Sequence, residues 1–289
     1  MSPAPPDFLQ GPSFEFFAPR SAVGVEEFLA PKGCLDSFAQ LGPALISVSG
    51  SAPASLKMLE HVKKAHCIRP QLHLPRAELT EQGALALVES ALRIGVQDVL
   101  VTGGLPGSMQ PASGSGFGSV LDLVRCLKQK FGTQLRVAVS GFPRGTCGEA
   151  GSYEADLSQL RQQVDAGAEL VLCLPTFDAA SHLSFAAEVQ RAGIACFVKP
   201  GILPLCASSD LRRICRALSL TPPAEVWKQL DGISSELALR QLADASFERM
   251  AAELHGGGAA PPHVYTLNSL TALQGLKAAG FVPLKHRIR

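Results

Sequence analysis

One carboxylate stands out by its company. Glu15 lies in Ser13-Phe14-Glu15-Phe16-Phe17-Ala18-Pro19, with aromatic residues on both sides. If this run is a strand that turns Glu15 into an apolar interior, desolvation raises its pKa. A protonated carboxyl could then donate a proton near neutral pH. The alternative is a Glu exposed on an edge, and the residues alone leave both open. Gly103-Gly104-Leu105-Pro106-Gly107 could let backbone lie against a ligand, but it is equally ordinary loop chemistry. His73 ends an apolar run, where a hydrogen-bonded structural His is commoner than a base or ligand. Cys147, Cys173 and Cys206 fall at or after successive apolar runs, as thiolate metal ligands could. Without a close-spaced ligand pair, buried thiols are the plainer reading. No G-x-G-x-x-G follows a strand, and neither a phosphate-loop motif nor a G-x-S-x-G nucleophile elbow is present.

Whatever positions these groups must be a well-packed globular fold. The chain has 289 residues, 46% hydrophobic and 18% charged, which excludes intrinsic disorder. Lys and Arg total 26 against 25 Asp and Glu, a net charge of +1, so there is no electrostatic footprint for nucleic acid. No window approaches the ~20 apolar residues of a membrane span. The opening Met1–Gln10 has neither the basic flank nor the apolar run of a targeting segment. Eight scattered cysteines without a C-x-x-C pair read as free thiols in a reducing compartment, so a cytoplasmic protein is expected.

Short apolar runs alternate with segments of helical period. The strand candidates are Ser13–Phe17, Ala44–Ser49, Gln71–Leu74, Asp98–Val101, Arg136–Ser140, Leu170–Leu174, Cys196–Val198 and His263–Thr266. Helical spacing predicts Gly24–Leu41, Ala54–Ala65, Thr80–Ile94, Ser119–Phe131, Tyr153–Ala166, Ala180–Ala192, Ser209–Leu218, two helices across Ala224–His255, and Ser269–Ala279. Gly95, Gly132, Gly167, Gly193 and Gly280 sit just past helices, where a left-handed residue is wanted. Eight strand–helix units in about 250 residues predict an α/β fold, a (β/α)8 barrel with extra helices before strand eight. A doubly wound sheet is the alternative. Residues 1–11 are read as a flexible N-terminus and 12–289 as one barrel domain. In a barrel, chemistry gathers at the C-terminal ends of the strands, and the long Gly103–Gly118 connection would lie there.

Specific strings then resemble a family. Ser13-Phe14-Glu15-Phe16-Phe17-Ala18-Pro19-Arg20 is similar to the Phe-Glu-Phe-Phe-Pro-Pro opening of methylenetetrahydrofolate reductases. The likeness continues through Ile46-Ser47-Val48-Ser49, Gly141-Phe142-Pro143, Val164-Asp165-Ala166-Gly167-Ala168, Phe177-Asp178, Pro200-Gly201-Ile202-Leu203-Pro204 and His263-Val264-Tyr265-Thr266-Leu267-Asn268. It covers residues 12–282 and carries the barrel fold with it. The resemblance implies FAD across the barrel mouth, NADH or NADPH as donor, and a folate substrate, 5,10-methylenetetrahydrofolate, reduced to 5-methyltetrahydrofolate. It implies that Glu15 is the catalytic acid that opens the folate ring. Cofactor contacts would fall on Ser49, His73, Gly103, Gly104, Phe142, Asp156 and Gln159, and substrate contacts on Glu15, Leu174 and Tyr265. A homo-oligomer is expected by the same likeness. Control by S-adenosylmethionine is not, because no regulatory extension is recognised.

The departures share a direction. Val101-Thr102-Gly103-Gly104-Leu105-Pro106 lacks the family's acid after strand four. Phe142-Pro143-Arg144-Gly145-Thr146 lacks its Tyr, Glu and His. Gln163 replaces a basic residue, Leu174 a Gln, and Ser208 an aromatic. Each lost charged hydrogen bond removes about 1.5–3 kcal/mol, and micromolar affinity is about 8 kcal/mol in all. Two readings follow: a reductase with a divergent flavin pocket, or a flavin-free barrel that binds or scaffolds. A weaker third is a corrinoid- or thiol-linked one-carbon protein using Cys147 and Cys206.

Overall fold

The computed structural model describes residues 10–104, 116–143 and 152–269. Eight strands form one closed parallel barrel in sequence order. They are β1 (Ser13–Phe17), β2 (Leu45–Ser49), β3 (Arg69–Pro75), β4 (Asp98–Thr102), β5 (Arg136–Gly141), β6 (Ala168–Thr176), β7 (Phe197–Ile202) and β8 (His263–Tyr265). β8 closes the ring on β1, with Ser13 opposite His263 and Glu15 opposite Tyr265. Around them run α1 (Ala22–Leu29), α2 (Cys34–Ala39), α3 (Ala52–His66), α4 (Glu81–Arg93), α5 (Val120–Phe131), α6 (Tyr153–Asp165) and α7 (Ala179–Arg191). Between β7 and β8 come α8 (Ser208–Leu218), α9 (Ala224–Asp231) and α10 (Glu236–Gly256), the extra helices expected before strand eight. The predicted helix Ser269–Ala279, Cys147, and most of the Gly103–Gly118 connection lie outside the described residues.

Helix starts follow their cap residues. Ser21, Thr80, Ser119, Ser152, Asp178 and Ser235 each accept a hydrogen bond from the backbone N–H three residues on. Two expectations fail for stated reasons. The single helix over 24–41 is two, because Pro31 has no N–H to continue the ladder and Lys32 turns left-handed (φ 63°). The apolar period survives the break, which is why it reads as one. The seventh strand runs on through Pro200-Gly201-Ile202 instead of ending at Val198. Its partner β6 also carries a proline, and the β6–β7 register shifts between Leu172 and Pro175, so the missing donors fall at an irregular stretch of the pairing.

Alternation along the strands divides two cores. Phe14 and Phe16 face outward, their rings edge-on to Phe38 of α2, with Phe28 of α1 also against Phe16. The interior is itself split. On the β4–β7 side it is apolar: Leu100, Ala138, Leu170 and Leu172 pack together with Phe197. On the β8–β3 side it is polar, with Ser13, Glu15, Ser47, Gln71 and His263 all buried. The floor is tied by Asp98, whose carboxylate takes paired hydrogen bonds from both Arg69 (2.8 and 3.0 Å) and Arg136 (2.9 and 2.9 Å). Among the described residues no helix is long and apolar enough to cross a membrane.

Candidate functional site

The polar half of the interior is one connected network over four strands. Glu15 of β1 is its centre, 5% exposed. Its Oε2 lies 3.3 Å from Nε2 of His263 on β8 and 3.5 Å from Nε2 of His73 on β3. Ser13 and Glu15 share the inner face of β1, and Ser13 Oγ meets His263 Nδ1 at 2.8 Å. On the other side, Ser47 Oγ lies 2.7 Å from His73 Nε2 and donates to Gln71 Oε1 at 2.9 Å. Every member sits at an alternate position of its strand, so the barrel's own pleat brings them together.

Protonation follows from these contacts. Burial is the strongest influence on Glu15 and raises its pKa. The charge of His73, then the hydrogen bond and charge of His263, act the other way and together outweigh it. The carboxyl therefore titrates below its ordinary value and is ionised at neutral pH. This corrects the expectation of a raised pKa, which weighed desolvation without the two imidazoles. Burial holds His73 below its usual value against the pull of Glu15, so its resting form is neutral. With Glu15 ionised, His263 Nε2–H donates to it, and Nδ1 meets the Ser13 hydroxyl.

At the mouth end, the segment after β8 is tied back onto β1. Thr266 Oγ1 donates to the Glu15 carbonyl at 2.6 Å. Asn268 takes both backbone groups of Phe17, donating from Nδ2 to its carbonyl (2.7 Å) and accepting from its N–H at Oδ1 (2.9 Å). Leu267 and Asn268 are both left-handed (φ 53° and 57°), which turns the chain back onto β1. The Thr-Leu-Asn string thus fixes the backbone that carries Glu15.

The other expected site residues take the following places. Ser49, Gly103, Gly104 and Phe142 stand half-buried at the C-terminal ends of β2, β4 and β5. Asp156 and Gln159 stand half-buried in the first two turns of α6, whose N-terminus lies at that same end. Leu174 packs in a cluster with Leu203 and Tyr265. Tyr265 is buried, and its hydroxyl already donates to the Cys173 carbonyl at 3.1 Å. His73 is not at a strand end: β3 continues to Pro75, and His73 points inward. Cys173 lies within β6, fully buried with its thiol pushed up by desolvation. Cys206 is pushed up to about 12 by burial. Neither is a ready thiolate.

Sequence reasoning assigned no role to Ser13, Ser47, Gln71 or His263. The available signal was the two-residue spacing of Ser47 from Ser49, Gln71 from His73, and His263 from Tyr265. Two further buried groups were missed. Lys199 is 1% exposed and donates to the Gly11 carbonyl at 2.7 Å, its pKa lowered by burial to about 7. His182 of α7 donates from Nε2 to the Gly201 carbonyl at 2.8 Å, its pKa lowered by burial to about 4. A separate cavity of about 400 Å³, lined in part by Thr176, Phe177, Leu203 and Phe247, opens beneath the inserted helices and shares no residue with the Glu15 network.

Comparison with known proteins gives a consistent answer. The family model for methylenetetrahydrofolate reductase matches residues 10–277. "Methylenetetrahydrofolate reductase (NADH) 1" of Zea mays is 28% identical over 273 residues, covering 89% of this chain and 46% of that protein. "5,10-methylenetetrahydrofolate reductase" of Escherichia coli is 28% identical over 262 residues, covering 89% of this chain and 86% of that one. The chain thus spans about half the length of the plant relative. Among solved structures, an uncharacterized protein from Clostridium thermocellum aligns with a TM-score of 0.68 at 9% identity, over 94% of this chain and 93% of that one. That protein is described as binding two copies of 5-methyl-5,6,7,8-tetrahydrofolic acid.

Proposed function

The chain belongs to the methylenetetrahydrofolate reductase family, and from that premise we propose that it reduces 5,10-methylenetetrahydrofolate to 5-methyltetrahydrofolate, with FAD as carrier and NADH or NADPH as donor. The observation that carries this reading is the Glu15 carboxylate, held inside the barrel between two imidazoles. Burying a carboxylate costs several kcal/mol unless its partners are good; Asp98 is held by two guanidiniums that keep their protons, whereas Glu15 faces imidazoles, which can exchange theirs near neutral pH. The folate bound by the Clostridium thermocellum protein supports a folate as ligand of this barrel shape.

The described residues fit FAD at the mouth. Gly104 has φ 102°, a conformation that side-chained residues rarely adopt, so the backbone after β4 can lie flat against a ring system. Ser49 and Thr102 end their strands with hydroxyls at the rim. Arg76, in the turn that follows β3, has a buried Nε with no hydrogen-bond partner among the described residues, a cation that could help to hold the cofactor's phosphates. Ser49, His73, Gly103, Gly104 and Phe142, with Asp156 and Gln159 of α6, would hold the cofactor. Bound there, FAD would supply hydride transfer between the nicotinamide and the folate.

The chain's own residues do the proton chemistry. Glu15, once protonated, gives its proton to the folate nitrogen whose bond to the methylene carbon breaks. His263 and Thr266 keep its carboxyl and backbone in place. The half-buried apolar faces of Leu174 and Phe142 exclude water. Seven described cysteines are free, which supports a reducing, cytoplasmic setting. The flavin-free reading has two observations in its favour: Gln163 is buried on α6 without charge, and the first turn of α6 is acidic (Glu154, Asp156), which repels a phosphate.

Flavin decides between them. Purified full-length protein is expected to be yellow, or to gain melting temperature with added FAD, and to consume NADH or NADPH when the methylene folate is supplied. A colourless protein whose melting temperature ignores excess FAD overturns the reductase reading.

A further inference from the structure

We propose that Phe17 is a substrate-binding residue: its ring lies against the p-aminobenzoyl ring of the folate and holds that substrate over Glu15. The inference deepens the reductase reading and rests on it. The chemistry of that reading says which part of the folate must come near. Turning a 5,10-methylene folate into a 5-methyl folate keeps the bond from the 5-nitrogen to the one-carbon unit and breaks the bond from the 10-nitrogen. The 10-nitrogen keeps the electron pair of the broken bond and takes the Glu15 proton, while hydride from the reduced flavin goes to the one-carbon unit. The acid must therefore reach the 10-nitrogen, and that nitrogen carries the benzoyl ring.

Phe17 is the last residue of β1. It shares the face of Glu15 and stands two residues, about 7 Å, nearer the mouth. Phe14 and Phe16, on the other face, are buried with their rings against helices, whereas Phe17 is 43% exposed. Among the described residues three large apolar side chains are exposed, Phe17, Val23 and Leu237, and of these only Phe17 is aromatic. Its ring pairs with no other described ring. Its register partner on β2 is Ser49, too small to cover a phenyl group. On the other side β8 has already ended at Tyr265. A phenyl ring that packs on nothing, one step above a buried acid, is a free surface for a second ring.

The backbone beneath this open ring is held. The side-chain amide of Asn268 makes the two hydrogen bonds that a further residue of β8 would have made, to the Phe17 carbonyl and from its N–H. Thr266 Oγ1 does the same for the Glu15 carbonyl one step below. Phe17 and Glu15 thus stand on one frame, and a ring on a fixed backbone loses less freedom when a ligand lands on it. Aromatic pairs prefer centroids 4.5–7 Å apart, the same scale as the strand step between the two side chains. A folate whose 10-nitrogen meets Glu15 therefore carries its benzoyl ring past Phe17. The fused bicycle goes elsewhere, because its one-carbon unit must face the flavin, whose proposed contacts Gly103, Gly104 and Phe142 follow β4 and β5.

The test uses the full chain supplied with FAD, and 5-methyltetrahydrofolate as the ligand. Calorimetric titration should show Phe17→Leu, which keeps apolar bulk but has no aromatic face, binding about 2- to 10-fold more weakly than wild type. Phe17→Ala should lose about tenfold or more, and Phe17→Tyr should bind like wild type. In turnover the loss should appear as a raised KM for the methylene folate. The ring is exposed, so all three variants should melt near the wild-type temperature, which separates lost binding from lost fold. Nuclear magnetic resonance of the saturated complexes then identifies the contact: the benzoyl protons of the ligand should shift between wild type and Phe17→Leu, and its 5-methyl protons should not. If Phe17→Ala and Phe17→Leu bind as tightly as wild type, or if the 5-methyl protons shift and the benzoyl protons do not, the assignment of Phe17 is wrong while the reductase reading stands. A wild type that binds no folate ends the reductase reading, and this inference with it.

Discussion

Glu15 and His263 meet across the seam of the barrel, 3.3 Å apart, although 248 positions separate them in the chain. The contact exists only when β8 closes on β1. Closure of the fold and assembly of the acid site are therefore the same event, and the carboxylate takes its ionisation state from both sides of the seam.

Replacing the carboxylate separates the two half-reactions. Glu15→Gln keeps the size of the side chain and a hydrogen bond to His263 but holds no transferable proton. Folate reduction is expected to fall by about 10²-fold or more, while reduction of bound flavin by NADH or NADPH is unchanged. Anaerobic stopped-flow absorbance measures each half separately. Folate turnover near the wild-type rate would remove Glu15 from the acid role.

The floor clamp should carry stability without touching chemistry. Asp98 binds two guanidinium groups from the first residues of β3 and β5. Asp98→Ala removes the buried acceptor that these two half-buried guanidiniums share, and losing hydrogen bonds to a charged group costs about 1.5–3 kcal/mol. Urea denaturation should show a loss in that range. A loss under about 1 kcal/mol would mean that the arginines are satisfied by solvent, as at an ordinary surface pair.

The eight-fold alternation was legible because each strand is a short apolar run on its outer face, where Phe14, Val48, Val99 and Val139 pack against helices. The inner face was harder to read. Ser47, Gln71 and His263 carry no local signal beyond their two-residue spacing from Ser49, His73 and Tyr265, since their meaning comes from neighbours on other strands. Glu15 drew notice through its flanking aromatics, but those rings face away from it, and its true neighbours are polar. The direction of its pKa shift was misjudged for that reason. Pro31 was visible in the sequence, yet the apolar period across it favoured one helix where there are two.

Gly201 predicts a packing limit. A Cβ there would lie 2.1 Å from the Cys173 carbonyl oxygen and 3.0 Å from the Tyr265 ring. The first obstacle is backbone and cannot swing aside. Gly201→Ala must therefore spread β6 from β7 and displace the hydroxyl that bonds Cys173. Overpacking of this kind costs about 1–3 kcal/mol, readable as a lowered urea midpoint, with a changed near-ultraviolet circular dichroism signal from Tyr265. A variant as stable as wild type would show that β6 and β7 are not held as tightly as this contact requires.

Lys199 makes stability depend on alkaline pH. Burial lowers its pKa to about 7 in the folded protein, against about 10.4 when unfolded. Between these values the unfolded chain holds a proton that the folded chain lacks, so stability rises with pH through that window and levels off below it. From pH 7 to pH 9.5 the gain from this one group is about 2–4 kcal/mol. Lys199→Met fills the same space without titrating, so the gain in unfolding free energy between those two pH values should shrink by about that amount relative to wild type. Equal pH dependence in the two proteins would mean that the amine stays charged beside the Gly11 carbonyl and that burial does not control it.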